Sequence, residues 1–116
     1  MSALSTHVLD SALGGPASGM LVRLERAAAG EFSEVGRAVT DADGRISDFG
    51  LAALPAGTYR LIFQTGDYLT AAHPGGPEQE PFFPEVTVTF ATDGLRPRYH
   101  VPLLLSPYSY STYRGS

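Results

Sequence analysis

Two histidines and one arginine are the residues of this chain best suited to proton transfer and to holding a polar substrate. His7 lies in an alternating segment near the start of the chain, His100 lies near its end, and Arg45 follows an Asp-Gly pair. An imidazole has an unperturbed pKa of about 6.5 and can act as a general base near neutral pH. A guanidinium is a planar fork of donors that suits a flat ligand with adjacent acceptors. Side chains of these types can transfer protons and bind a polar ligand.

Each of these side chains also has an ordinary structural interpretation, and singly the signals are weak. A histidine inside a strand is more often a hydrogen-bonded structural residue, and an arginine after a turn is more often an exposed charge. His73, Glu78 and Glu80 fall in a Pro/Gly-rich stretch and are interpreted as solvated loop residues without a role. No base partner is evident for three serines, which are interpreted as strand or turn residues: Ser106, Ser109 and Ser111.

The C-terminal segment predicts ordered structure where chain ends commonly fray. From Tyr108 to Tyr113, tyrosine alternates with serine or threonine, which is the period-two pattern of a β-strand. Such a strand ties Arg114 and the terminal carboxylate of Ser116 to a rigid scaffold. The tail is therefore predicted to help form a site.

Short apolar-rich runs separated by Gly and Pro predict the elements that must position these residues. About eight strands are expected, and the assigned ones cover 4–10, 20–27, 31–39, 58–64, 85–90, 98–105 and 108–113. Turns are expected at Asp43-Gly44 and at Thr92-Asp93-Gly94. Pro102 lacks an N–H, which predicts an edge or bulged strand beside His100. The pattern indicates an all-β fold, a two-sheet antiparallel sandwich.

The only helix candidate covers 65–72. Thr65 or Asp67 could cap its start, and Pro74-Gly75-Gly76-Pro77 would stop it. The sandwich is therefore expected to carry one short helix.

Composition narrows the class of protein. With 116 residues, the chain is expected to form a single domain over 1–116. The absence of cysteine excludes disulfides and thiolate metal sites, and a net charge of −4 argues against a nucleic-acid partner. No apolar run reaches the roughly 20 residues of a membrane helix, and the start lacks the pattern of a secretory signal. The expected location is cytoplasmic, with no membrane partner.

Several motifs together resemble those of the transthyretin-related 5-hydroxyisourate hydrolases, over the whole chain from Leu4 to Ser116. The most specific is the terminal Tyr113-Arg114-Gly115-Ser116, because transthyretin proper does not end that way. Further matching stretches are Leu4-Ser5-Thr6-His7-Val8-Leu9-Asp10, Gly15-Pro16-Ala17, Thr40-Asp41-Ala42-Asp43-Gly44-Arg45, Phe82-Phe83-Pro84-Glu85-Val86 and the segment from Tyr99 to Leu105. One departure is Arg98-Tyr99-His100, where relatives usually carry His-Tyr-His.

The resemblance implies a transthyretin-like sandwich and an enzyme of urate degradation. The implied reaction hydrolyses the cyclic amide-like bond of 5-hydroxyisourate, a flat purine-derived heterocycle, to 2-oxo-4-hydroxy-4-carboxy-5-ureidoimidazoline. It assigns catalytic roles to His7, Arg45, His100 and Ser116, and substrate contacts to His7, Arg45, Tyr113 and Arg114. Which histidine is the base stays open. The family forms homotetramers with sites at the subunit interface, and the same assembly is implied here.

No metal is expected, because the three histidines are far apart in sequence and form no metal-ligand motif; zinc held by His7, His100 and a carboxylate is the less favoured alternative. No cofactor is expected, because the sequence has no phosphate-binding loop or dinucleotide fingerprint. Two other interpretations compete with the enzyme. A non-catalytic pre-albumin-like β-sandwich module would explain the segment 40–61 but neither the N-terminal histidine nor the ordered tail. A transthyretin-like carrier would bind a small aromatic ligand without turnover, although polar His and Arg side chains disfavour an apolar pocket.

Overall fold

A computed structural model describes residues 3–73 and 81–115, and over these ranges nine strands and one helix are formed. In chain order they are β1 (Leu4–Asp10), β2 (Gly15–Pro16), β3 (Leu21–Ala28), β4 (Glu31–Val39), β5 (Arg45–Ile46), β6 (Gly57–Phe63), α1 (Thr65–Ala72), β7 (Val86–Thr92), β8 (Tyr99–Ser106) and β9 (Ser109–Thr112). The bounds of β1, β4 and α1 are those predicted. The other assigned strands are displaced by one residue or differ by one or two residues in length.

The strands form two sheets. The first has the order β2-β1-β8-β9, with the short β5 also paired to β1, and the second has the order β4-β3-β6-β7. All pairs are antiparallel except β1 with β8, which run parallel. The predicted class, an all-β sandwich of two sheets with one short helix, is confirmed.

The core lies between the sheets, and period-two alternation decides which side chains enter it. In β3, Val22 and Leu24 are fully buried, as is Met20 just before the strand, and in β6 Tyr59, Leu61 and Phe63 are almost fully buried. From the other sheet, β1 and β8 contribute alternate residues: Leu4, Val8, Leu103 and Leu105. The apolar stripes predicted from the sequence are therefore the core faces of these strands.

The expectation of an edge strand at Pro102 is wrong. Strand β8 lies between β1 and β9, so it is an inner strand of its sheet. The pairing with β9 ends at Leu103–Thr112 and is resumed in the same register by an isolated bridge between His100 and Gly115. Proline has no N–H to donate, which accounts for the interruption between them. The incomplete pairing was predicted correctly, but it lies inside the sheet.

The helix is fixed differently from the prediction. No side chain caps α1, and the residue at its N-cap is Gln64 rather than Thr65 or Asp67. The hydroxyl of Thr65 instead donates to the Phe83 carbonyl at 2.6 Å, which ties the helix start to the segment before β7. The predicted stop at Pro74–Pro77 lies outside the described residues.

His73, interpreted above as a solvated loop residue, is instead bound to the protein. Its Nε2 donates to Asp10 Oδ2 at 2.8 Å, and the Tyr68 hydroxyl donates to the same oxygen at 2.8 Å. The Asp10 side chain is completely buried at the end of β1. Sequence pattern alone missed this contact because the partners are 63 residues apart.

No helical segment within the described ranges combines the length and apolar character that a membrane span requires.

Candidate functional site

The outer face of the first sheet carries the polar residues singled out in the sequence. In β1, Leu4, Thr6, Val8 and Asp10 are buried, whereas Ser5, His7 and Leu9 are only partly buried. The same alternation in β8 buries Tyr99 and Val101 and leaves His100 partly exposed. His7 and His100 therefore both lie on the face of the sheet that points away from the core.

Strand pairing brings these residues together. His7 is opposite Arg45 in the β1–β5 pair, and Ser5 is opposite His100 in the β1–β8 pair. Neighbouring strands lie about 5 Å apart, and residues two positions apart in one strand lie about 7 Å apart. The guanidinium and the two imidazoles, separated by up to 93 positions in the chain, thus share one patch of the sheet.

His100 is held from two sides. Its Nδ1 is 2.8 Å from the Ser5 hydroxyl, and its backbone carbonyl accepts the Gly115 N–H at 2.8 Å. Burial lowers the pKa of His100 below its ordinary value of 6.5, and the positive charges of Arg45 and His7 lower it further, against a smaller opposing contribution from Ser5. The imidazole is therefore neutral at pH 7, the form in which it can accept a proton.

Gly115 is packed directly against the His100 ring. A Cβ built on Gly115 would lie 2.5 Å from Cδ2 of His100 and 3.2 Å from Cγ, closer than such atoms approach. Only a residue without a side chain leaves the imidazole in its present position. This is the physical reason for glycine in the terminal Tyr-Arg-Gly-Ser motif of this chain.

His7 is oriented by the turn that precedes β5. Its Nε2 lies 2.9 Å from the carbonyl oxygen of Asp43. Because a carbonyl only accepts hydrogen bonds, Nε2 carries a proton. In the neutral ring, Nδ1 is then the nitrogen with the free lone pair.

The same turn presents Arg45. One carboxylate oxygen of Asp41 accepts the backbone N–H groups of Asp43 at 2.9 Å and of Arg45 at 3.0 Å. The bond from the Arg45 N–H lowers the pKa of Asp41 most and that from the Asp43 N–H lowers it further, so the carboxylate stays charged. Gly44 has φ +75° and donates to the Asp41 carbonyl, while its own carbonyl accepts the Val8 N–H at 2.7 Å. The turn predicted at Asp43-Gly44 is confirmed, and it is fastened to β1.

The site residues border a cleft of about 530 Å³. Its walls are formed by Ser5, Arg45, Arg96, Pro97, Arg98, Tyr99, His100 and Gly115. His7 lies beside this cleft through its pairing with Arg45. The volume is in the range of small-molecule sites.

Two residues of the tail lie at a neighbouring cavity. Tyr113 and Arg114 line a space of about 550 Å³ at the edge where β7 and β9 end their sheets, together with Val88, Phe90, Ala91, Thr92, Asp93, Arg96, Tyr99, Val101 and Thr112. Arg96 and Tyr99 border both cavities. Within one chain, the structure thus brings Tyr113 and Arg114 next to the His100 cleft but not into it. Ser116, given a catalytic role above, lies outside the described residues.

Within the part of the chain that the structure describes, no three His, Cys, Asp or Glu side chains are grouped as a metal site requires. Among the serines, Ser106 and Ser109 bond to each other at 2.7 Å across the β8–β9 turn, in agreement with their interpretation as turn residues.

Sequence reasoning did not single out two residues that position the site. Ser5 forms a hydrogen bond with His100. The sequence feature that could have identified Ser5 is its position two residues before His7, on the same face of the strand. Asp41 holds the turn, and its signal was the Asp-x-Asp-Gly pattern in which an aspartate bonds to backbone N–H groups two residues ahead.

Comparison with known proteins identifies the family of the chain. The family model described as "Transthyretin: HIUase/Transthyretin family" matches residues 4–115. A curated 5-hydroxyisourate hydrolase of Caulobacter vibrioides is 45% identical over 117 residues, covering all of both chains. The structure of 5-hydroxyisourate hydrolase from Klebsiella pneumoniae superposes with a TM-score of 0.82 at 40% identity, covering all of both chains.

Transthyretin has the same backbone. The crystal structure of transthyretin from Sparus aurata superposes with a TM-score of 0.88 at 30% identity, covering 99% of this chain and 97% of that one. The two superpositions are similarly close, so the fold does not distinguish the hydrolases from transthyretin. Sequence identity distinguishes them, because this chain is 40–45% identical to these hydrolases and 30% identical to this transthyretin.

Proposed function

The chain belongs to the HIUase/Transthyretin family, and we propose that it hydrolyses 5-hydroxyisourate in the cleft around His100. The product is 2-oxo-4-hydroxy-4-carboxy-5-ureidoimidazoline. The observation that carries the proposal is the convergence of His7, Arg45 and His100 on one face of one sheet. That convergence supplies a base and a fixed positive charge beside a cleft of suitable size.

His100 is the proposed general base. Its lowered pKa keeps the ring neutral at pH 7, so that it can take a proton from water as the water attacks the ring carbonyl. The Ser5 hydroxyl on Nδ1 orients the ring. Positioned proton transfer of this kind contributes about 10²–10⁴-fold to the rate.

Arg45 and His7 assist the other parts of the same reaction. The water oxygen bonds to the carbonyl carbon, the carbon–nitrogen bond breaks, and the leaving nitrogen takes a proton. Arg45 stabilises the oxyanion that forms at the carbonyl. His7, held through Nε2 on the Asp43 carbonyl, can orient the attacking water through the free lone pair of Nδ1, and the proton that His100 takes from the water is passed to the leaving nitrogen. In this scheme Tyr113 and Arg114, which line the neighbouring cavity, contact the part of the substrate that extends beyond the cleft, and Ser116 positions substrate or water.

Two alternatives remain worth testing against the enzyme. A carrier would bind the ligand without turnover, and a structural module would neither bind nor react. Loss of freshly generated 5-hydroxyisourate is followed spectroscopically with the purified chain. Catalysed loss with product formation supports the proposal, saturable binding without product supports the carrier, and neither response supports the module.

We further propose a homotetramer in which residues of two subunits build each site. The site lies on the outer face of a sheet, where a single chain leaves His7 and Arg45 open to solvent. In the described residues, β7 and β9 end their sheets, and such edges invite pairing with a second copy. Light scattering at the assay concentration tests this: an active monomer would contradict it.

The proposed location is the cytoplasm, and the proposed domain organisation is one domain over residues 1–116. Cell fractionation tests the first. Limited proteolysis of the purified chain tests the second, since a stable fragment retaining activity would indicate more than one unit.

A further inference from the structure

Within the described residues, four of the eight arginines form an ion pair or a ring contact and four form neither. All eight basic residues are arginine. Arg23 and Arg60 pair with Glu25, Arg37 pairs with Glu34, and Arg26 lies over the Tyr59 ring. The four arginines around the cleft form no ion pair within 4 Å and no ring contact among the described residues; they are Arg45, Arg96, Arg98 and Arg114.

Three of these unpaired guanidiniums line the cleft that contains His100, namely Arg45, Arg96 and Arg98. Among the described residues that line it, none carries a carboxylate. Negative charges lie outside the walls of the cleft. Arg45 helps to lower the pKa of Asp41, and Arg96 helps to lower the pKa of Asp93. A cleft of this charge is unexpected in a chain whose net charge is −4.

Arg96 and Arg98 line the same cleft on the two sides of Pro97, where the chain bends. Pro97 fixes its own φ and restricts Arg96 before it to extended conformations. Arg98 directly precedes β8, two residues before His100, and both residues line this cleft. Both arginines are exposed and can therefore reach a ligand in the cleft.

We propose that Arg96 and Arg98 form a carboxylate-binding subsite beside His100 that takes the carboxyl group released by ring opening. This proposal rests on the proposed function. The substrate of that reaction has no carboxyl group at the reacting carbon, and the product has one. Hydrolysis turns the attacked carbonyl into a carboxylic acid, which ionises at neutral pH. A guanidinium binds a carboxylate in a bidentate manner, a geometry that a lysine cannot reproduce.

Binding of two planar probes tests the subsite without turnover. Orotate and uracil share a carbonyl-rich six-membered ring, and only orotate carries a carboxylate. At about 0.1 M salt, where exposed charges more than about 10 Å apart are screened, we expect calorimetry to show orotate binding at least about tenfold more tightly than uracil. Equal affinities, or no binding of orotate, would overturn the subsite.

The variants Arg98→Gln and Arg96→Gln locate the effect. Each should weaken orotate binding about fivefold or more and leave uracil binding unchanged, and Arg98→Lys should recover only part of the loss. Arg37→Gln is the matched control, because it removes the same charge from a surface pair on β4. Circular dichroism confirms folding of each variant. Orotate affinity unchanged in both cleft variants, or equally weakened in the control, would contradict the assignment.

Turnover of 5-hydroxyisourate is measured on the same samples. Carboxylate-selective binding that depends on Arg98, in a protein without turnover, would support the subsite and contradict the proposed function. Turnover without a preference for orotate would support the function and contradict the subsite.

Discussion

At the scale of single residues, the close packing of Gly115 against His100 explains the importance of the C-terminal motif. The Gly115 N–H bonds to the His100 backbone, and its α-carbon leaves no room for a side chain next to the ring. An imidazole displaced by about 1 Å can lose a large part of its catalytic effect. The terminal motif of this chain is therefore a packing requirement of the histidine as well as a possible source of substrate contacts.

Replacing Gly115 by alanine tests this requirement. The added methyl group would meet the His100 ring, so Gly115→Ala should lower kcat at least about tenfold with little change in thermal stability. Gly15→Ala is the control, because a Cβ there meets nothing within 4 Å. If kcat of Gly115→Ala equals that of the control, the contact does not position the histidine.

Arg45 should affect His100 through space. Its positive charge helps to lower the pKa of His100, so Arg45→Gln should raise that pKa toward 6.5. NMR titration of the His100 ring measures this directly and does not depend on catalysis. The acid limb of the wild-type pH–rate profile should lie below pH 6.5, because His100 must be neutral to act as base. Arg37→Gln, on the other sheet, should leave the titration unchanged.

At the scale of elements, the short turn before β5 positions two site residues, His7 and Arg45. The Asp41 carboxylate accepts hydrogen bonds from backbone N–H groups of the turn, and the Asp43 carbonyl accepts one from His7. Arg45 is the first residue of the strand that pairs with β1. The position of Arg45 therefore depends on a carboxylate that need not touch substrate.

Two substitutions separate the positioning role of Asp41 from its charge. Asp41→Ala removes both hydrogen bonds to the turn and should lower kcat/KM about tenfold through misplacement of Arg45. Asp41→Asn keeps an acceptor oxygen and should retain most of the activity. Equal losses in the two variants would show that the charge, and not the turn, is what matters.

The buried Asp10 anchors a second element. Burial alone would raise its pKa, but the hydrogen bonds from His73, from the Leu13 N–H and from Tyr68 outweigh this and lower the pKa below 3.8. A carboxyl group whose pKa is lowered by folding stabilises the protein above its unfolded pKa, and this stabilisation is lost as the pH falls through the folded value.

Asp10→Asn should therefore reduce the free energy of unfolding by about 2 kcal/mol at pH 7, and the difference should shrink below about pH 3.8. Chemical denaturation at pH 7 and at a pH below about 3.8 measures the difference in the free energy of unfolding. Asp48→Asn is the control, because Asp48 is an exposed residue whose substitute still accepts a hydrogen bond. A deficit that is the same at both pH values would contradict the role of the Asp10 charge.

The elements were largely predictable from the sequence, whereas their partners were not. Alternation over a few residues is a local property, so β1, β4 and α1 were bounded correctly. The parallel pairing of β1 with β8 joins residues 95 positions apart, and no local pattern encodes it. For the same reason the pattern predicts an edge or bulged strand at Pro102, which lies in an inner strand, and gives no sign of the bond of His73 to Asp10.

At the scale of the whole molecule, the site depends on the order of strands in one sheet. Arg45, His7 and His100 come from β5, β1 and β8, which are neighbours in that sheet although they are distant along the chain. The resemblance to a known family supplied what the pattern could not, namely that these residues belong together. The sheet face that carries them is open in one chain, which is why the proposed assembly brings a second copy to it.

The pH dependence of kcat/KM for 5-hydroxyisourate, in the wild type, three site variants and one control variant, tests the central claim most directly. His7→Ala, His100→Ala and Arg45→Lys should each lose about 100-fold or more, and His100→Ala should also lose the acid limb of the profile. His73→Gln, which changes the histidine bound to Asp10 instead, should retain near-normal kcat/KM. Near-normal turnover in all three site variants would contradict the account.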